Sequence, residues 1–314
     1  MKYIGAKNGK ISVFEKDEPI LRERFVKIKT LYSAISPGTE ISMAEGSREH
    51  EFALGYSALG EVIELADGVE GLELGDIVAT YGAPYTGHHE ILAVPQTLVN
   101  KVPNNVDLRD ASMSGLGSIA IHAVRQANLQ FGEIVVGVGL GIYGQLISQI
   151  AENAGLVVLP LNRSSQRAEM LQDTSGIESF SDEKELGEKL DSVSNGMGAD
   201  AVFLCVGGDS SYLCDKSLEW LRPGGKSVIV GDIKPNYDRS LMFAKEAEIL
   251  ISRAGGPGRY DANYELNAID YPYQYVRWTE GRNAKEYLRL LENKRIKVSD
   301  YYNETYALDE YEEA

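Results

Sequence analysis

Apolar and polar positions alternate in the strand manner at 25–34, and 60–65 and 76–81 are further short strand-like stretches of the first hundred residues. Such alternation predicts half-buried β-strands. Glycine-containing acidic turns at 66–68 and 74–76 separate them, and short strands at this spacing predict a small barrel. Residues 108–130 turn helical, with Asp107 or Asp110 as a cap and an apolar face at 119–124. From residue 134 strands and helices alternate. The pattern predicts strand 134–138, helix 144–153, strand 156–161, helix 165–172, helix 183–190, strand 201–206 and helix 210–221. A Pro223-Gly224-Gly225 turn then precedes strand 226–230, and a last strand follows at 247–252. This order predicts a parallel, doubly wound sheet with helices on both faces. Residues 259–278 carry Tyr260, Tyr264, Tyr271, Tyr273, Tyr275 and Trp278 without a clear period and predict a long ordered loop. A helix is expected at 283–292, and 306–314 has the pattern of a further helix start.

The strand at 134–138 runs into Gly139-x-Gly141-x-x-Gly144 and then into the helical pattern. In that context each glycine has a role in dinucleotide binding. Gly139 permits the tight turn, Gly141 permits backbone N–H groups to approach a pyrophosphate, and Gly144 permits close helix–strand packing. Ile142 and Tyr143 complete the first turn, whose N–H groups and partial positive charge suit phosphate. The residue ending the second strand distinguishes the two nicotinamide cofactors, since an acid there binds the ribose 2′-OH. Here Asn162 takes that place, followed by Arg163, Ser164, Ser165 and Arg167. An absent acid and added guanidinium groups favour NADP, with NAD as the alternative. Val206 and Gly207, at the end of strand 201–206, are expected to line the nicotinamide half of the crevice.

Length and charge narrow the picture. The 314 residues suit one large or two medium domains, and the formal net charge of −16 argues against nucleic-acid or anionic-membrane partners. The two cysteines, Cys205 and Cys214, exclude a disulfide scaffold or a cysteine-rich zinc lobe. With no secretory h-region and no membrane-length apolar run, a cytoplasmic protein is expected.

Several further segments resemble the medium-chain dehydrogenase/reductase superfamily. They are Gly55-x-x-x-x-Gly60-x-Val62, Gly75-Asp76-x-Val78, His88-His89-Glu90-Ile91-Leu92-Ala93-Val94-Pro95 and Gly196-Met197-Gly198-Ala199-Asp200. The resemblance runs nearly end to end. It implies an α/β protein: a GroES-like β-barrel catalytic domain over 1–115 and 256–314, and a Rossmann dinucleotide-binding domain over 116–255. Ile35-Ser36-Pro37-Gly38-Thr39-Glu40, Leu54-Gly55-Tyr56-Ser57, 258–261 and 275–278 resemble one subgroup. There this module is often fused ahead of a second oxidoreductase domain, and the chain stops where that module would end. Ser36-Pro37-Gly38-Thr39-Glu40 is also similar to bacteriochlorophyllide dehydrogenases. The resemblance implies an NAD(P)-dependent oxidoreductase moving a hydride between nicotinamide and a carbonyl or secondary alcohol, with sugar- or polyol-like substrates. A homodimer and a second oxidoreductase domain or protein are the partners it suggests.

The departures concern zinc. Pro37 stands where zinc members place a cysteine, and Tyr56-Ser57 where they place His-Glu. Catalytic zinc needs three protein ligands, so zinc is not expected, although Glu40, His88, His89 and Glu90 would be the residues of any replacement site. Thr39 corresponds to the hydroxyl that contacts the reacting alcohol, or is simply a turn residue beside Glu40. Tyr56 would exchange a proton with the carbonyl oxygen, its ordinary pKa near about 10 suiting a donor, or is a core tyrosine. His88 and His89 on a strand would point to opposite faces, so one would face the cleft and the other the surface or an interface. Arg259, Tyr260 and Arg277 would line a substrate pocket, or form an interface. Without a Lewis acid, the alkoxide would rest on hydrogen bonds alone. Two alternatives follow: a zinc-free enone- or quinone-type C=C reductase, and a non-catalytic NADPH-binding sensor or partner module.

Overall fold

A computed structural model describes residues 1–302 and 304–314, and the chain divides into two units. The first comprises residues 1–118, 255–293 and 302–314; the second comprises 119–254 and 294–301.

The first unit opens with β1 (Lys2–Lys7) and β2 (Lys10–Glu15), a hairpin turned by Asn8 and Gly9, both at positive φ. The unit continues with β3 (Phe25–Ser33), helix α1 (Pro37–Glu45), β4 (Phe52–Ala53), β5 (Ser57–Leu65), β6 (Ile77–Tyr81), β7 (Ile91–Pro95) and β8 (Val99–Lys101). Five strands form a curled antiparallel half-barrel in the order β7-β3-β5-β6-β8, while β2-β1-β4 forms a smaller sheet. Two register irregularities between β3 and β5 bend the larger sheet. The alternation along β3 places Val26 and Ile28 in a core with Val62, Val78, Leu92 and Val94, while Lys27 pairs with Glu64 on the other face at 2.9 Å. The helical stretch after residue 107 is two helices, α2 (Leu108–Ser112) and α3 (Ser114–Gln126), the first capped by Asp107. Ser57 explains the joint: its Oγ donates to the Ser112 carbonyl at 2.6 Å and accepts the Gly115 N–H at 2.9 Å.

The second unit holds β9 (Ile134–Val138), α4 (Ile142–Asn153), β10 (Val157–Leu161), α5 (Ser165–Ser175), α6 (Glu183–Ser194) and β11 (Ala199–Leu204). It then continues through α7 (Tyr212–Trp220), β12 (Leu221–Ile229), α8 (Arg239–Lys245) and β13 (Glu248–Ile251). Its parallel sheet runs β10-β9-β11-β12-β13, and a parallel bridge from Leu161 to Phe180 adds one rung beyond β10. With that rung the order is the doubly wound 3-2-1-4-5-6, whose reversal lies between β9 and β11. Pro223-Gly224-Gly225 does not precede β12 but lies within it, where the register with β11 slips between Ala199 and Ala201.

Back in the first unit, the aromatic segment holds a short helix, α9 (Ala262–Glu265), capped by Asp261, and α10 (Glu280–Glu292) begins earlier than its apolar pattern because Thr279 caps it. The predicted final helix is only a 3-10 turn at Leu308–Glu310. Residues 294–301, expected with the barrel, pack instead on the second unit. Gln149 brackets Lys297 with both its amide atoms, and Asn153 Nδ2 donates to the Arg295 carbonyl at 2.7 Å. Among the described residues no helix is long and apolar enough to cross a membrane.

One buried charge stands out in the first unit. Glu280 is fully buried, neither carboxylate oxygen has a hydrogen-bond partner among the described residues, and burial pushes its pKa up to about 9 against the pull of Arg259. A carboxyl whose folded pKa exceeds its unfolded value contributes stability that is present below the unfolded pKa and lost as pH rises through the folded one. Stability should therefore fall as pH rises from about 4.5 to about 9. Glu280→Gln should flatten that slope and stabilise the protein by on the order of 3 kcal/mol at about pH 8, with little change at about pH 5, in urea denaturation.

Candidate functional site

The second unit concentrates its open polar features at the strand ends beside the sheet reversal. Gly139 follows β9 with φ +93°, and a Cβ there would lie 2.5 Å from Val206 Cγ1. A Cβ on Gly144 would lie 1.8 Å from the Gly139 carbonyl oxygen. The turn can close only with glycine at both positions. Gly141 differs: its φ of −70° suits any residue, and an added Cβ meets nothing within 4 Å. A side chain at 141 would stand in the open approach to the helix end. Gly141 is also the N-cap of α4, with no side-chain cap and no acid in the first turn. The N–H groups of Ile142, Tyr143 and Gly144 and the partial positive charge of a twelve-residue helix are thus directed at that approach.

Asn162, at the end of β10, accepts the Leu140 N–H at 2.9 Å through Oδ1, and its Nδ2 donates to the Ser164 carbonyl at 3.3 Å. It braces the glycine turn, a role that its place in the acid position did not suggest. Arg163, Ser164 and Arg167 are exposed at the start of α5, and neither arginine has an ion pair among the described residues. Two uncompensated guanidinium groups are notable in a chain of net charge −16. Val206 and Gly207 leave β11 beside the end of β12: the Gly208 N–H reaches the Asp232 carbonyl, and Gly208 bridges Ile233. Burial pushes the neighbouring Cys205 thiol up to about 12, so it is an inert thiol.

The first unit gathers the remaining candidates. Glu40 is closed on both sides: Oε1 accepts the Ser36 N–H at 2.7 Å, and Oε2 meets His88 Nε2 at 2.7 Å. His88 Nδ1 meets Ser33 Oγ at 2.8 Å. The pair is a buried cross-link between α1, β3 and the approach to β7. His88 and His89 precede β7 instead of lying in it, so the alternation argument fails, and both are buried at 5% exposure. His89 packs edge-on against Tyr3 and burial pushes its pKa down to about 3. Thr39 is exposed on α1. Tyr56 is half-buried, with its ring edge-on to Tyr81 at 6.3 Å between centroids.

Tyr81, the last residue of β6, accepts the Gly255 N–H at 3.0 Å, and burial pushes its phenol well above the ordinary range. Arg259 is consumed internally. It pairs with Glu265 at 2.5 Å, donates to the Ala83 carbonyl at 2.8 Å and lies 4.2 Å over the Tyr260 ring. That arrangement fixes a loop and does not present a free guanidinium to a substrate. Tyr260 is 60% exposed, and Arg277 is exposed but stacked between Trp278 at 3.5 Å and Tyr273 at 4.5 Å. Among the described residues no three His, Cys, Asp or Glu side chains are grouped to hold a metal ion.

Comparison with known proteins adds a lineage to this geometry. The family model described as zinc-binding dehydrogenase matches residues 143–268. A sorbitol dehydrogenase of Halalkalibacterium halodurans is 26% identical, the match covering 88% of this chain and 92% of that protein. A D-guloside 3-dehydrogenase of Escherichia coli is 28% identical over 80% of this chain and 69% of its own length. The crystal structure of an Escherichia coli oxidoreductase/dehydrogenase of unknown specificity superposes with a TM-score of 0.80 at 17% identity, covering 100% of this chain and 94% of that one.

The glycine geometry separates two substitutions. Gly144→Ala should lower the melting temperature of the second unit, because the helix must move away from the Gly139 carbonyl. Gly141→Ala should leave the melting temperature unchanged and weaken nicotinamide dinucleotide binding at least about tenfold, as read by calorimetry. Equal nucleotide affinity in Gly141→Ala and the parent would show that no pyrophosphate passes there.

Proposed function

We propose that the chain is an NAD(P)-dependent oxidoreductase of the medium-chain dehydrogenase/reductase type, and that it oxidises or reduces a sugar- or polyol-like secondary alcohol–carbonyl pair with NADP(H). The observation that carries this reading is the open, uncapped start of α4 behind Gly141, at the sheet reversal where such sheets bind dinucleotides.

The residues present fit the cofactor. Backbone N–H groups of Ile142, Tyr143 and Gly144 would hold the pyrophosphate, with Gly139 and Gly144 closing the turn around it. Arg163 and Arg167, with Ser164 between them, would hold the 2′-phosphate, since both guanidinium groups are exposed without an acidic partner. Val206 and Gly207 would line the nicotinamide half. When bound, the cofactor supplies or accepts the hydride at its nicotinamide ring. The polyol assignment rests on the sorbitol and D-guloside dehydrogenase relatives.

A zinc ion does not fit the donors, and no step runs through one. Pro37 and Tyr56 stand where zinc members carry ligands, and His88 Nε2 already meets Glu40. In this reading Tyr56 handles the proton: its hydroxyl donates to the alkoxide oxygen formed on reduction and takes the proton back on oxidation. Thr39 offers a second hydroxyl from α1. Glu40 and His88 hold the turn that carries Thr39 and are positioning residues. A donor set among the described residues that does not fit a metal also favours a second reading, reduction of an activated C=C bond, in which hydride adds to the β-carbon, the charge is delocalised as an enolate less basic than an alkoxide, and a proton is then delivered to the α-carbon.

Steady-state kinetics test both. Arg163→Ala combined with Arg167→Ala should raise KM for NADPH at least about tenfold and leave NADH unaffected. A parent enzyme preferring NADH, with those substitutions neutral, would contradict the phosphate assignment. Tyr56→Phe should lower kcat by about a hundredfold or more with KM for NADPH unchanged. Turnover of enones with none of ketoses or polyols would favour the second reading, and tight stoichiometric zinc would overturn the metal-free one.

A further inference from the structure

A cavity of about 480 Å³ lies wholly within the first unit, and none of Tyr56, Thr39, Glu40 and His88 lines it. Its volume is in the range of roughly 300–1,000 Å³ typical of small-molecule sites. Phe25, Ile91, Leu92 and Leu266 give it an apolar wall, and Ile20, 86% exposed, stands at its edge.

The polar groups at this cavity are of one sign. Arg22 and Lys16 both line it and neither has an ion pair among the described residues. Neither Glu15 nor Asp17 lines the cavity, and two further acids of the same segment, Glu18 and Glu23, lie by Lys27 and Arg24, at 3.8 and 3.7 Å. Lys16 instead lies over the Tyr3 ring at 4.5 Å, and burial lowers its pKa, the mark of an ammonium lacking a counter-charge. The Tyr85 hydroxyl has no hydrogen bond among the described residues. His89 also lines the cavity, and its buried Nε2 has no partner. In a chain with sixteen excess negative charges, two unpaired cations beside an apolar hollow and two unsatisfied polar groups call for an occupant.

We propose that this cavity binds a small amphipathic carboxylate, with its branched or aromatic body on Phe25, Ile91 and Leu92 and its carboxylate on Arg22, Lys16 and the Tyr85 hydroxyl. The apolar wall disfavours bare inorganic anions, and the cationic rim disfavours neutral alcohols of the same shape. This site shares no residue with the nucleotide-binding turn. Its occupant would clamp the loop of Ala83 and Tyr85, which Arg259 ties to the Glu265 segment beside Leu266.

Calorimetry on the full chain without nucleotide tests the proposal with 4-methylpentanoate and phenylacetate as probes, and 4-methylpentan-1-ol and inorganic phosphate as controls. The expected result is saturable binding of the carboxylates and none of either control. Arg22→Gln with Lys16→Gln, both exposed and remote from the core, should weaken binding at least about tenfold. Ala93→Phe, which fills the cavity from β7, should abolish it. Nucleotide affinity should be unchanged in both variants, which separates this site from the dinucleotide reading. Failure of both carboxylates to bind at millimolar concentration, equal binding of phosphate, or undiminished binding in the double variant would overturn the proposal.

Discussion

The contact on which the rest depends is that of Gly144 with the Gly139 carbonyl oxygen. A strand leaving the centre of a parallel sheet must reverse into a helix within three residues. The helix must also lie close enough for its first N–H groups to face the crevice beside the strand ends. A side chain at 144 would occupy the place of the Gly139 oxygen, and one at 139 would meet Val206 just beyond the end of β11. The turn is therefore squeezed from both sides. Asn162 adds a third constraint by accepting the Leu140 N–H from the end of β10. Three strand ends are thereby tied to one turn, and the free helix start is a consequence of that tie.

The first unit solves a different problem, the housing of polar groups in a small barrel. Glu40 and His88 satisfy one another and Ser33, which makes them a rigid joint and leaves little capacity for proton exchange with a ligand. Tyr81 and Arg259 anchor the 255–265 segment by a backbone N–H and an ion pair. Glu280 is the exception, a buried carboxyl near Arg259 and Glu265 that meets no donor from another group among the described residues. A buried carboxyl in that position remains protonated over the neutral range, since desolvation opposes its charge more strongly than Arg259 favours it. Its cost in stability at higher pH is a property of the barrel and is independent of the nucleotide.

Much of this was legible along the chain, and what was missed has physical reasons. The alternation of 25–34 and the glycine spacing of 139–144 are short-range patterns imposed by backbone geometry, and both elements formed where those patterns lie. The histidines at 88 and 89 resembled strand residues because the apolar run after them is a strand. The loop from Gly82 to Glu90 is instead held by backbone hydrogen bonds to β1, to Thr30 of β3 and to Leu54 and Tyr56 ahead of β5, which no local pattern records. Asn162 occupied the place of a ribose-binding acid, yet its partner is twenty-two residues away at the turn. Residues 294–301 joined the second unit through the side chains of Gln149 and Asn153, a long-range match invisible to periodicity. Glu280 lay ahead of the helix expected at 283–292 and nothing local marked it, because burial depends on what packs above a residue and not on its neighbours in sequence. The expected final helix contracted to a single 3-10 turn at Leu308–Glu310.

The account stands on the α4 start as the place where the cofactor phosphates rest, and amide hydrogen exchange reads that place directly. Adding saturating NADPH to the full chain should slow exchange at Ile142, Tyr143 and Gly144, the first-turn residues of α4. It should also slow exchange in the 162–167 segment, and protection should be weaker there with NADH. Unchanged exchange at 142–144 in a chain that nonetheless binds NADPH would place the cofactor elsewhere and contradict the central claim.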